Sequence, residues 1–395
     1  MKYNHSFSAA DILLPKSDFE NWAVIACDQY TSEPEYWNEV KAAAADKPSA
    51  LNVVLPEVYL SEDNGAYIDK INENMQAYLD NGVFKEYPDS LIYVERIQSD
   101  GKCRKGIVGK IDLECYDYHA GTNAEIRATE QTVLSRIPPR VQIRKNAPLE
   151  LPHVMLLFDD PQNNIFSYLD ANKANFETAY DFTLMCNAGS IKGYFLNKQA
   201  KHKVCEMLEE LKKQNDGFLF CVGDGNHSLA TAKECYNLNK AEASRYALTE
   251  IVNIHDTALE FEPIYRVVFG VEPEAIINEF IKTVGEGAQK FTCIYGDTVK
   301  EIFVNATAKL AVGTLQTFLD EYVKNHKQAE IDYIHGEESL KKLASRENAI
   351  GFIFSGMQKD ELFEAVNADG SLPRKTFSMG HADDKRFYIE ARKIK

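Results

Sequence analysis

The sequence predicts a mixed α/β (α+β) fold, a buried central sheet with flanking helices, on three observations. Residues 218–222, Phe-Leu-Phe-Cys-Val, form a continuous apolar run of the kind found in strands covered on both faces. Stretches with apolar residues three or four apart alternate with short apolar runs along the whole chain, so helix and strand signals interleave. Hydrophobic residues make up 45% and charged residues 26% of 395, an ordinary globular balance in a chain too long for one simple core. Three portions are expected: an N-terminal α/β portion (1–120), a core (121–262) and a C-terminal α/β portion (263–395).

In chain order, residues 22–27 are a short apolar run ending at Asp28, and a helix follows over 34–45 with Pro34 suited to its first turn. Ile68, Ile71, Met75 and Leu79 mark an amphipathic helix. A hairpin is expected from strand 90–96, the Asp100-Gly101 turn and strand 106–111. A helix is expected over 124–135, stopped by Pro138-Pro139, and a buried strand over 153–158. Further helices are read over 201–213, after residue 228 (Leu229, Ala232, Tyr236), and over 274–284, 315–327 and 337–344. Residues 349–354 read as a strand and 386–391 as an edge strand.

The strongest local signal is Gly223-Asp224-Gly225-Asn226-His227-Ser228 between a strand and a helix. Two glycines permit positive φ and close backbone approach to a ligand. The first-turn amides of the helix offer an anion site. Asp224, Asn226, His227 and Ser228 add four polar side chains. The simpler reading is a helix cap by Asn226 or Ser228 with His227 in solvent. The turn lacks the Gly-Lys-Ser/Thr of a Walker loop and is no dinucleotide fingerprint.

This turn, with Thr129-Glu130-Gln131-Thr132 and Pro263-Ile264-Tyr265-Arg266, resembles the prokaryotic family called domain of unknown function 1015. The family shows Asp-Gly-His-His-Arg, His-Glu-x-Thr and Pro-Thr-His-Arg at these places. Thr129, Asn226 and Tyr265 stand where it has histidine, and Ser228 where it has arginine. Its motif in turn looks like that of the ParB-like group, which includes free-serine kinases. That resemblance implies a ParB-like core binding nucleotide phosphates at a strand–loop–helix junction, with phosphotransferase chemistry. It assigns His227 and the helix amides to the phosphates, Asp224 to Mg²⁺ or a water, and Glu130 to the general base.

Other residues join this set on weaker grounds. Asp28 follows a buried run, where polar groups at a strand's carboxyl end line ligand crevices. Arg127 and Glu130 stand three apart, a spacing that also fits a solvated ion pair on a helix. Arg136, Arg140 and Arg144 recur every four residues in an acidic chain, as an anion-facing cluster or as surface arginines. Arg266 retains the family's arginine, and 373–381 is a basic loop that either closes over an anion or is solvated. The candidate set is therefore Asp224, His227 and Glu130 for catalysis, with Gly223, Gly225, Asn226, Ser228, Asp28, Arg140 and Arg266 for the ligand.

The net charge of −16 repels nucleic acid and anionic membranes, so the expected partner is a small-molecule anion. Eight scattered cysteines without a C-x-x-C pair, and no apolar run near ~18 residues, point to a reduced cytoplasmic setting. No zinc site is expected. Two functions stand open: an enzyme acting on a nucleotide or phosphorylated small molecule, with Mg²⁺, as a kinase-like phosphotransferase; or a non-catalytic sensor of a small anionic metabolite.

Overall fold

A computed structural model describes residues 5–44, 47–59, 64–132, 134, 137–151 and 153–395. The chain forms two compact units. The first comprises Met1–Ala128, Thr132–Leu259 and His381–Lys395, and the second Thr129–Gln131 and Glu260–Gly380. The expected boundary near residue 120 divides nothing: strands from 1–120 and 121–262 pair in one sheet, and the chain end returns to the same unit.

That sheet has ten strands among the described residues. Its path runs Glu177–Thr183, Ser190–Phe195, Ile92–Ile97, Cys103–Asp112, Tyr246–Asn253, Met155–Phe158, Phe220–Asp224, Ile126–Ala128 and Tyr116–Asp117, with Phe7–Ser8 beside Cys103–Asp112. It is mixed. Met155–Phe158 runs parallel to Tyr246–Asn253 and antiparallel to Phe220–Asp224. Alternate residues feed two separate cores: Ile92, Val94, Val108 and Leu248 enter one, and Tyr93, Ile107, Ala247 and Ile251 the other. Period two thus buries both faces. Phe218, Leu219, Phe220, Cys221 and Val222 are all buried, as their unbroken apolar run requires.

The hairpin forms as expected, with Ile92–Ile97 pairing antiparallel with Cys103–Asp112 and Gly101 at φ 84° in the turn. Helices Pro34–Ala44, Gly65–Asp80 and Lys198–Gln214 match their periodicities. The helix expected over 124–135 does not form over 124–132, and residues 133 and 135 lie outside the described residues. Ile126–Ala128 is instead a short strand parallel to Phe220–Asp224, and Arg127 lies over the Phe218 ring at 4.0 Å. Pairing with a buried strand overrides a local helical pattern. Pro138 and Pro139 start a helix rather than stop one: Ile137–Arg144 carries them in its first turn, where no intrahelical N–H is needed.

The second unit has its own six-stranded sheet among the described residues: Thr298–Val304, Glu286–Tyr295, Ala349–Ile353, Phe261–Phe269 and Glu330–His335, with Phe377–Met379 on Phe261–Phe269. Helices Pro273–Val284, Ala311–Asn325 and Glu337–Ala344 accompany it. Residues 386–391 contribute a shorter strand than expected, Phe387–Tyr388, and it pairs with Val24–Ile25 of the first unit.

Candidate functional site

The turn is built as its glycines suggest. Gly223 and Asp224 end the strand Phe220–Asp224, Gly225 turns at φ 82°, and helix Asn226–Asn239 begins at once. Gly225 itself occupies the capping position and has no side chain to offer, so neither Asn226 nor Ser228 is the N-cap residue. The Asp224 carboxylate accepts the Gly225 N–H at 2.9 Å, which holds the turn open toward the helix amides. The His227 carbonyl accepts the Thr231 hydroxyl at 2.7 Å. His227 and Ser228 are half-buried.

Gly225 is also tight against a second segment. A methyl group on its Cα would stand 3.1 Å from Val154 Cα and 3.5 Å from His153 Cδ2. His153 is buried, with Nδ1 2.8 Å from the Tyr388 hydroxyl and Nε2 3.6 Å from Asp28 Oδ2. Lys385 Nζ lies 3.4 Å from Asp224 Oδ2. Burial pushes the Asp28 carboxyl upward, but His153, the hydrogen bond from Gln29 and the charge of Lys385 outweigh it, and Asp28 sits below the usual carboxylate range. Asp28 is therefore linked to the turn through His153 and through the charge of Lys385, which also pairs with Asp224. Burial, with the charge of Asp28 behind it, pushes the neighbouring Cys27 thiol up to about 12, so it is no nucleophile at neutral pH.

Arg140 lies near this cluster through Glu57, with which it forms an ion pair; the Glu57 N–H is bonded to the Cys27 carbonyl at 2.7 Å. Arg144 pairs with buried Glu150 at 2.5 Å. Arg140 and Arg144 thus have separate acidic partners, and the first member of the cluster, Arg136, lies outside the described residues.

Glu130 and Arg266 belong to the second unit. Glu130 accepts the Thr376 N–H at 3.3 Å, and Leu372 bridges to it. Arg266 is fully buried: Nε donates to Gln316 at 2.7 Å, and the terminal nitrogens donate to the carbonyls of Ile264, Lys375 and Arg374. Burial pulls its guanidinium down to about 10, while Tyr333 and Glu130 oppose that shift. The basic loop is therefore anchored from beneath by Arg266.

The family described as "Protein of unknown function (DUF1015)" matches residues 8–393. The chain belongs to this family. No curated protein matches it. Among solved structures, this DUF1015 protein is similar to a free serine kinase variant in complex with AMP, at 12% identity and TM-score 0.42, covering 72% of this chain and 91% of that one. Another variant of that kinase, in complex with ADP, aligns at 12% identity and TM-score 0.41 over 72% of this chain and 91% of its own. A conserved hypothetical protein from Pyrococcus furiosus aligns at 12% identity and TM-score 0.38, over 72% and 94%.

Of the DUF1015 motif elements, Asp-Gly-Asn-His-Ser stands at the turn, and Pro-Ile-Tyr-Arg lies within strand Phe261–Phe269 of the second unit. Sequence reading missed His153, Lys385 and Tyr388. The first stands just before a strand, and the other two come from the returning chain end, so no local spacing marks them. Among the described residues no cluster of three or more histidine, cysteine or acidic side chains is placed to hold a metal ion. No helix among them is long and apolar enough to cross a membrane.

Proposed function

We propose that the first unit of this DUF1015 protein binds the phosphates of a nucleotide or phosphorylated small molecule at the 223–228 turn and acts as a kinase-like phosphotransferase. The observation that carries the reading is the convergence of Asp224, Asp28 and Lys385 on a positive-φ glycine that opens a helix. First-turn amides have no intrahelical acceptor and suit phosphate oxygens. Ser228 and His227 lie in that same turn. A ParB-like core, which the motif resemblance implies, belongs to the same proposal.

Charge decides what must accompany the phosphate. Two carboxylates against one ammonium leave the cluster net negative, and a like-charge contact at 4 Å costs about 4 kcal/mol at an effective dielectric of 20. The phosphates must therefore bring a cation. Mg²⁺ fits, because it is commonly held by one or two carboxylates together with substrate phosphates rather than by a full protein cage. Asp224 is the side chain that would hold it, and the ion would neutralise charge on the transferring group. Asp28, kept ionised, is the base: the acceptor hydroxyl gives its proton to Asp28, its oxygen bonds to phosphorus, and the P–O bond to the leaving phosphate breaks. The motif assigns that role to Glu130, whose carboxylate is bonded to the Thr376 amide. Asp28 is preferred here because its contacts at the turn lie within one unit. The eight free thiols support a reducing, cytoplasmic setting.

Titration calorimetry with ATP and ADP, with and without Mg²⁺, tests the reading: Mg²⁺-dependent binding is expected, and no heat with either nucleotide defeats it. A second reading, the metabolite sensor, is favoured by Asn226 and Ser228, which carry less positive charge than the family's histidine and arginine. Binding without turnover of γ-labelled ATP across a panel of small alcohols and amino acids would select it.

A further inference from the structure

We propose that Tyr388 and His153 are positioning residues, which fix His153 as its Nε2–H tautomer and thereby aim the Asp28 carboxylate at the turn. Tyr388 is buried, and its oxygen accepts the Cys27 N–H at 3.2 Å. Burial, with Cys27 and Asp28 adding to it, keeps the hydroxyl protonated far above neutral pH. Its hydrogen needs an acceptor; the Cys27 sulfur is within its reach, but His153 Nδ1, the stronger acceptor, stands 2.8 Å away, the ring edge-on to the phenol at 85°. A nitrogen that accepts there carries no hydrogen, so in neutral imidazole the hydrogen sits on Nε2. That nitrogen faces Asp28 Oδ2 at 3.6 Å, a charge–dipole contact rather than a formed hydrogen bond.

The backbone fixes the geometry. Tyr388 pairs with Val24 and Phe387 with Ile25, and the Ala26 N–H donates to the Arg386 carbonyl at 2.9 Å. Arg386 is buried and paired with Glu250 at 2.9 Å and Glu390 at 2.7 Å. The carbonyls of Asp383 and Asp384 accept from Arg96 at 2.9 Å and Arg104 at 2.5 Å. One anchored segment therefore delivers Lys385 to the carboxylates and Tyr388 to the histidine. The groups facing Asp28 are His153, Gln29, Lys385 and Cys27; those facing His153 are Asp28, Tyr388 and Gly225.

The catalytic consequence rests on the phosphotransferase reading, but the tautomer does not. Long-range ¹⁵N spectra of histidine-labelled full-length protein, without nucleotide, should show His153 with a bare Nδ1 and a protonated Nε2. An imidazolium at pH 7.5, or a protonated Nδ1, overturns the proposal without any variant. The Tyr388→Phe protein supplies the second readout: without the phenol's hydrogen, the same spectra at pH 7.5 should show His153 shifted toward the Nδ1–H tautomer, and the Asp28 carboxyl ¹³C signal should move with it. A folded Tyr388→Phe protein in which His153 keeps a bare Nδ1, or in which the Asp28 signal stays in place, sinks the positioning role. If both readouts behave as expected while no nucleotide binds, the phosphotransferase reading fails and the positioning pair stands.

Discussion

Arg266 in the second unit and Lys385 in the first are both cations drawn into the protein among acceptors, and they spend their donors in opposite ways. Arg266 gives every guanidinium nitrogen to Gln316 or to backbone carbonyls and is closed to solvent. Lys385 is held by an ion pair at 3.4 Å to Asp224 and by the field of Asp28. A saturated planar fork fixes a loop; a lightly held point charge can turn toward an incoming anion. Retention of an arginine in a family motif thus marks an architectural need as readily as a ligand contact.

The largest effect that would break this contrast is on stability. Arg266→Ala leaves the Gln316 oxygen and three carbonyls without their donor, and should cost about 3 kcal/mol in urea unfolding of the full chain. Lys385→Ala should cost under about 1 kcal/mol, since a long ion pair is a weak one. Equal losses from the two variants would erase the distinction. Next comes Gly225→Ala. At φ 82°, with Val154 backbone 3.1 Å from the added carbon, it should destabilise by about 1–2 kcal/mol and weaken nucleotide binding more than tenfold in calorimetry. Unchanged affinity would mean that the turn does not meet the ligand.

What the sequence made legible follows the same division. The strand, the two glycines and the helix lie within about twenty consecutive residues, so local propensity and turn chemistry suffice to find them. His153 and Lys385 are separated by more than two hundred positions, and only the return of the chain end brings them together. The stretch 124–135 failed for a related reason. Its alternation of charged and apolar residues fits one helical face, yet Ile126 pairs with Phe220, and nothing nearby in sequence announces that partner. Arg140 was found by its spacing, but its partner Glu57 was not, so its charge looked available when it is already paired.

A smaller effect sharpens the Lys385 side of the comparison. Lys385→Ala should reduce Mg²⁺–nucleotide affinity about tenfold, roughly the 1.4 kcal/mol of one lost charge contact, while Lys385→Arg should keep most of it. Loss of affinity in Lys385→Arg equal to that in the alanine variant would show that packing rather than charge is read there.

The smallest expected effect concerns pH and needs no ligand. Asp28 and Glu150 both sit below the ordinary carboxylate range, Glu150 because Arg392, Arg144 and the Leu248 N–H outweigh its burial. A depressed folded value means that the unfolded chain binds protons first, so the stabilisation is complete above about pH 4.5 and is lost as pH falls through the folded values. Stability should therefore drop as pH falls below about 4.5. Asp28→Asn should flatten part of that slope, because asparagine takes up no proton, and should leave the part owed to Glu150. Urea midpoints measured across that range decide it. An Asp28→Asn protein with the full wild-type slope would mean that His153 and Lys385 do not hold the Asp28 charge, and the first unit's cluster would lose its base.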